Sequence, residues 1–209
     1  MVQKEKPRRG RPRAYDPDTA LAQATALFWS QGYADTSLDE LSLATGMNRP
    51  SLYGAFGDKK ALYLAALARY RDEGTRVIER ALGGSAPLRE ALDRFYRAAI
   101  ALYLSGDGNA RGCFLIGTAT TPAVMDPELR ALLGGALGGY DRLVEARLRL
   151  ARDRGELPAG TDPRILAKIV SAILHSLAVR ARAGDARADL EATAAAAVTL
   201  ICGKFGGGE

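Results

Sequence analysis

Apolar residues recur at spacings of three and four along almost the whole chain. Nowhere do they alternate over the length of a strand. The pattern predicts an all-α protein. Leu21, Ala24, Leu27 and Phe28 make the stripe of a first helix, predicted from Pro17 to Ser30. Asp16 caps it, Pro17 takes its first position and Gly32 stops it. Ser37 and Glu40 have the spacing of a capping box and start a second helix. That helix turns Leu38 and Leu41 inward and ends near Gly46. A short third helix spans about Arg49 to Phe56, with Pro50 tolerated in its first turn. A fourth runs from just after Asp58 to about Leu82.

The turn "GGSAP" at 83–87 separates these helices from a larger helical set. Leu88, Leu92, Phe95, Ala99 and Leu102 mark a fifth helix. The loop "SGDGNARG" and the irregular stretch "CFLIGTATTP" follow, before Asp126-Pro127 opens a long helix. The interior "GGALGG" of that helix lowers its propensity, and close helix packing is the expected reason. It is not a phosphate loop, since no lysine follows in the required pattern. Asp162-Pro163 opens a helix that is apolar on more than one face. The last helix, about Arg187 to Lys204, is rich in alanine. These two helices are expected to pair across a two-fold axis, with Ile173 and Leu177 at the interface.

Composition excludes several classes. With 47% hydrophobic and 25% charged residues, the 209-residue chain has a globular balance. No apolar run is long enough for a membrane span, and the basic start has no apolar stretch behind it. A cytoplasmic protein is the expectation. Cys113 and Cys202 are far apart, and one histidine with two cysteines offers no paired-ligand spacing. No metal and no cofactor are expected. The net charge is +5, and all of it lies in residues 1–13, where six basic residues face Glu5. The rest of the chain is neutral. A basic arm of this kind meets a polyanion.

The second and third helices have helix-turn-helix spacing. Ser42 lies four before Gly46, Met47 follows the turn, and Leu52 anchors the short third helix. Asn48, Arg49, Ser51, Tyr53 and Gly54 are left to face outward. A helix in the major groove needs short polar residues at its N-terminal end. Arginine can grip guanine and asparagine can grip adenine. Tyr53, Lys59, Lys60 and Ser37 are candidate phosphate contacts.

The same stretch resembles the DNA-binding domain of TetR-family transcriptional regulators. The likeness rests on "LFW-QGY--TSLDEL", "TGM", "PSLYGAFGDKKAL" and the preceding "GRPR", over about residues 10–67. It implies an N-terminal three-helix helix-turn-helix domain, then a helical ligand-binding and dimerisation domain. It also implies a homodimer on double-stranded operator DNA, released by a small-molecule effector. By position, Arg49, Pro50 and Ser51 match base-reading residues. Tyr53 and Lys59 match phosphate contacts, and Ser37 matches a backbone contact. Gly54 and Ala55 stand where larger residues are common, which implies fewer base contacts there. "RGRPR" at 9–13 is similar to an AT-hook core, so Arg9, Arg11 and Arg13 are candidates for a narrow minor groove. The expected organisation is a basic arm at 1–14, the reading domain at 15–62, and a linking helix with the effector and dimer domain at 63–209.

"RGCFLIGTA" at 111–119 is similar to a Gly-Cys segment in one branch of the family. This makes Cys113 a candidate sensor of oxidants or electrophiles, with Arg111 and a helix N-terminus expected to favour its thiolate. The competing reading is a buried cysteine that fills apolar space. Tyr96, Tyr103, Phe114, Tyr140 and His175 are candidates to line an effector pocket. Two other functions compete with a regulator. An architectural DNA-binding protein would not need so large a second domain. A thiol enzyme would need a partner for Cys113, and His175 stands alone.

Overall fold

The computed structural model describes residues 16–106 and 110–203. Within them the backbone forms eight α-helices and no strand. They are α1 (Pro17–Gln31), α2 (Leu38–Thr45), α3 (Arg49–Phe56), α4 (Lys59–Leu82), α5 (Leu88–Tyr103), α6 (Pro127–Asp153), α7 (Pro163–Ala183) and α8 (Arg187–Cys202). The boundaries follow local chemistry. The side chains of Asp16, Ser37, Asn48, Asp58, Asp126 and Asp162 each accept amides at a helix start. Such a cap is worth about 1 kcal/mol. Ser37 and Glu40 complete the capping box, and hydrogen bonds from Ser37 hold the Glu40 carboxyl below its usual range. The α2–α3 turn is made by Gly46 in the left-handed region, at φ 63°.

The small domain packs α1, α2, α3 and the first half of α4 around Ala24, Phe28, Leu41, Met47 and Leu52. Its anchors Met47 and Leu52 are buried as the spacing requires. α4 continues into the second domain, where Ile78, Ala81 and Leu82 join a core built from α5 to α8. One long helix thus belongs to both cores.

Two expectations about this larger domain need correction. Within the protomer the glycines of α6 seat no neighbouring helix: a Cβ at Gly134 or Gly135 would meet nothing within 4 Å, and one at Gly138 or Gly139 only Arg142 of the same helix. The two apolar faces of α7 also divide differently. Leu177 is fully buried in its own protomer, while Ile165, Ile169 and Val179 are about half exposed and Ile173 is only partly covered. The exposed apolar stripe therefore runs through Ile165, Ile169 and Val179. Leu200 on α8 is exposed as well.

Candidate nucleic-acid interface and effector cavity

Asn48, Arg49, Pro50 and Tyr53 are exposed along α3, with Ser51 half-buried beside them. The Asn48 side-chain oxygen accepts the Ser51 amide at 2.9 Å. Asn48 was expected to face adenine, but here its acceptor is committed to starting the helix. Arg49 reaches back across the turn to Asp39 of α2, donating Nε at 3.0 Å and a terminal amine at 2.6 Å to the same carboxylate oxygen. Lys59 lies over the Tyr33 ring, 4.6 Å from its centroid, and Ser37 is exposed at the start of α2. Lys60 departs from expectation. Its ammonium sits 2.7 Å from Asp126 and 3.1 Å from Glu128, at the start of α6. Those carboxylates raise its pKa, chiefly through the Asp126 bond. Lys60 therefore ties the reading domain to the larger one instead of standing free for phosphate. Arg9, Arg11 and Arg13 lie outside the described residues.

The segment 111–119 joins the two domains. Arg111 lies over the Trp29 ring, 4.9 Å from its centroid. The Trp29 indole N–H is shared between the Arg111 and Gly112 carbonyls, both at 3.2 Å. Gly112 has φ 64°, and a Cβ there would approach the Ala178 carbonyl to 2.5 Å, so only glycine fits. Phe114 does not line a pocket as expected. It is fully buried against Trp29, Tyr63 and Tyr70, with ring centroids 5.7 to 6.0 Å away. Burying such a ring is worth about 1.5–3 kcal/mol, before any gain from aromatic geometry. Leu115–Ala119 then makes a π-helical turn, a rare element that often marks functional places. Thr118 in that turn meets the Tyr63 hydroxyl at 2.8 Å in the interior. Burial pushes the Tyr63 phenol up to about 12.

Cys113 is on the other side of this segment. It lines an apolar cavity of about 40 Å³ with Tyr70, Gly74, Phe95, Tyr103, Tyr140 and Leu174. The volume is far below the roughly 300–1,000 Å³ of a typical ligand pocket, so a ligand must displace side chains. Gly74 lets the Tyr140 ring lie against α4; an added Cβ would sit 2.7 Å from the Tyr140 hydroxyl. Burial raises the pKa of Tyr70 and Tyr103, and of Tyr140 as well. It also raises the Cys113 thiol, against weaker opposing hydrogen bonds from the Ile116 amide and Tyr70. The expected thiolate is thus not favoured. The Arg111 guanidinium is occupied with Trp29 and the Ser105 carbonyl. An outer groove, lined by Ile116, Gly117, Val179 and Arg182, reaches Cys113 from the other direction.

Two other pocket candidates are elsewhere. Tyr96 is fully buried and donates its hydroxyl to the Val170 carbonyl at 3.1 Å, pinning α5 to α7. His175 is half-buried and absent from the cavity wall, to which its neighbour Leu174 belongs. Burial lowers its pKa, with Asp141 opposing. Tyr70 and Gly74 are cavity residues that sequence reasoning missed. Their signal was only an ordinary helical spacing on α4. Among the described residues no group of three metal-binding side chains forms, and no helix is long and apolar enough to cross a membrane.

A two-helix reading unit, braced by a third helix and joined by α4 to a larger helical domain, defines a helix-turn-helix DNA-binding protein. The description "Bacterial regulatory proteins, tetR family" matches residues 20–66, and "Tetracyclin repressor-like, C-terminal domain" matches 84–197. The chain belongs to the TetR family and is a DNA-binding transcriptional regulator, not an enzyme. It is similar to the transcriptional repressor ComR of Escherichia coli, with 34% identity over 176 residues and 84% of each chain covered. It is also similar to the repressor BdcR of the same organism, with 30% identity, 96% of this chain and 97% of the relative covered. Among solved structures it resembles a cysteine-substituted CifR regulator complexed with a 26-base-pair operator duplex. There the identity is 36%, the TM-score 0.82, and coverage 90% of this chain and 98% of that one.

Proposed function

We propose that the protein is a dimeric cytoplasmic repressor that leaves its operator when a small, largely apolar effector enters the cavity beside Cys113. Arg49, Pro50 and Ser51 read bases, while Ser37, Tyr53 and Lys59 hold phosphates. Arg9, Arg11 and Arg13 extend the contact into the minor groove. The observation that carries the reading is the double attachment of residues 111–119. Cys113 lines the cavity, and the next residue, Phe114, is buried among the aromatic rings of the reading domain. An effector that displaces Cys113 and the tyrosines shifts Phe114 and Thr118, and with them α1 and α4. Repression as the sign of control is supported by the repressor names of ComR and BdcR. The exposed stripe Ile165, Ile169 and Val179 supports dimer formation through α7 and α8.

A thiol-triggered version of the same switch is the second reading, since the outer groove gives Cys113 a separate approach. Operator titrations with wild type and Cys113→Ser separate the two. A ligand that lowers affinity equally in both proteins acts by filling the cavity. An oxidant or alkylator that acts on wild type alone acts through the thiol. If no compound that binds the protein changes operator affinity, the coupled-repressor reading fails.

A further inference from the structure

We propose that Asp39 determines operator specificity by holding the Arg49 guanidinium with one edge presented to guanine. The inference rests on Arg49 as a base reader.

Arginine is long and flexible, and ordering it for a base contact costs side-chain entropy. Asp39 offsets that cost before DNA arrives. One carboxylate oxygen takes both Nε and one terminal amine of Arg49. This occupies the inner edge of the guanidinium. The outer edge, made by its two terminal amines, stays free for a bidentate contact with guanine O6 and N7. The backbone of Asp39 is fixed by its helix. The residue stands in the first turn of α2, between Ser37 and Glu40 of the capping box, where a carboxylate is favoured by the helix dipole.

Neither stability nor general DNA affinity accounts for this carboxylate. The pair is exposed, with Arg49 and Asp39 side chains 53% and 78% accessible, and such pairs add little to folding. A negative charge on the DNA-facing side weakens attraction to every duplex alike. A fixed arginine, by contrast, improves the ratio between the right base and the wrong ones. Asp39 thus gives up affinity for discrimination, the usual form of designed specificity.

The test uses the full-length protein at one salt concentration. Wild type, Asp39→Ala, Arg49→Ala and the double variant are titrated against the operator and single-base variants of it, with melting curves as a folding control. Arg49→Ala should lose about 5- to 150-fold of discrimination at one base pair per half-site. If it loses none, base reading by Arg49 is what fails. Given that loss, Asp39→Ala, which removes the oxygen that accepts both Arg49 donors, should surrender a large part of the same discrimination at the same base pair. In the Arg49→Ala background it should change no ratio, and only raise affinity for all duplexes together. An Asp39→Ala protein that keeps the wild-type ratio overturns the inference. So does one that binds the operator and its variants more tightly by one common factor, because Asp39 would then merely compete with DNA for Arg49.

Discussion

The hydroxyls of Tyr63 and Thr118, 55 residues apart in sequence, meet at 2.8 Å in the interior between the two domains. Thr118 also donates to the Phe114 carbonyl at 2.8 Å, which makes Tyr63 the donor of the shared bond. The two partners are therefore unequal. Thr118→Val strands a buried phenol and should cost about 1–3 kcal/mol. Tyr63→Phe leaves Thr118 with its other bond and should cost less, about 0.5–1.5 kcal/mol. Urea unfolding followed by circular dichroism gives both values. The reverse order would contradict the donor assignment.

Adjacent lysines should behave differently on DNA. Each phosphate contact contributes about 0.9 to the slope of log affinity against log salt. Lys59→Ala should lower the slope by about that amount per subunit. Lys60→Ala should leave it nearly unchanged, because Asp126 and Glu128 already hold that ammonium. Deleting residues 1–13 should flatten the slope further, up to the contribution of its four arginines, and leave the thermal transition of the folded core in place.

The Cys113 thiol should be sluggish near neutrality. Its folded pKa is raised by burial, so less thiolate is present at pH 7 than in free cysteine. In a Cys202→Ser background, iodoacetamide should modify it more slowly than free cysteine. The rate should still climb at pH values where free cysteine has levelled off. The same shift has a stability sign. Its contribution is complete below the unfolded value of about 8.5 and is lost as pH rises through the higher folded value. Fast modification at pH 7 would mean that the thiol is activated in the folded protein.

Ile169→Asp should yield folded monomers with weakened operator binding, as sedimentation and melting together would show. Leu177→Asp should instead unfold the protein, since it puts a charge where the side chain is fully buried. A stable dimer of the Ile169 variant would place the interface off α7.

Local chemistry made the helices legible. Asp16, Ser37 with Glu40, Asp126 and Asp162 announced their helix starts, because a cap acts within four residues of itself. Leu52 and Met47 were legible for a similar reason, through fixed distances from Gly46. What failed was long-range. Nothing near Lys60 in sequence points to Asp126, and nothing near Phe114 points to Trp29. Tyr96 and His175 share the helical spacing of true cavity residues, and only the packing of α5 on α7 separates them from Tyr103. On α7, two apolar faces were plain, but periodicity does not say which one the protomer keeps for itself.

The contact between Gly74 and Tyr140 bears on how easily this regulator is lost or retuned. Glycine and alanine codons differ at one base, and the added methyl of Gly74→Ala would meet the Tyr140 hydroxyl at 2.7 Å. The hydroxyl, at the far end of the Tyr140 side chain, would have to move, and with it the 3.4 Å hydrogen bond it gives to the Arg71 carbonyl. Under the proposed coupling, a single point mutation therefore acts on the same cavity wall that an effector would. Such a change would alter that wall in one step and leave the DNA-reading surface untouched.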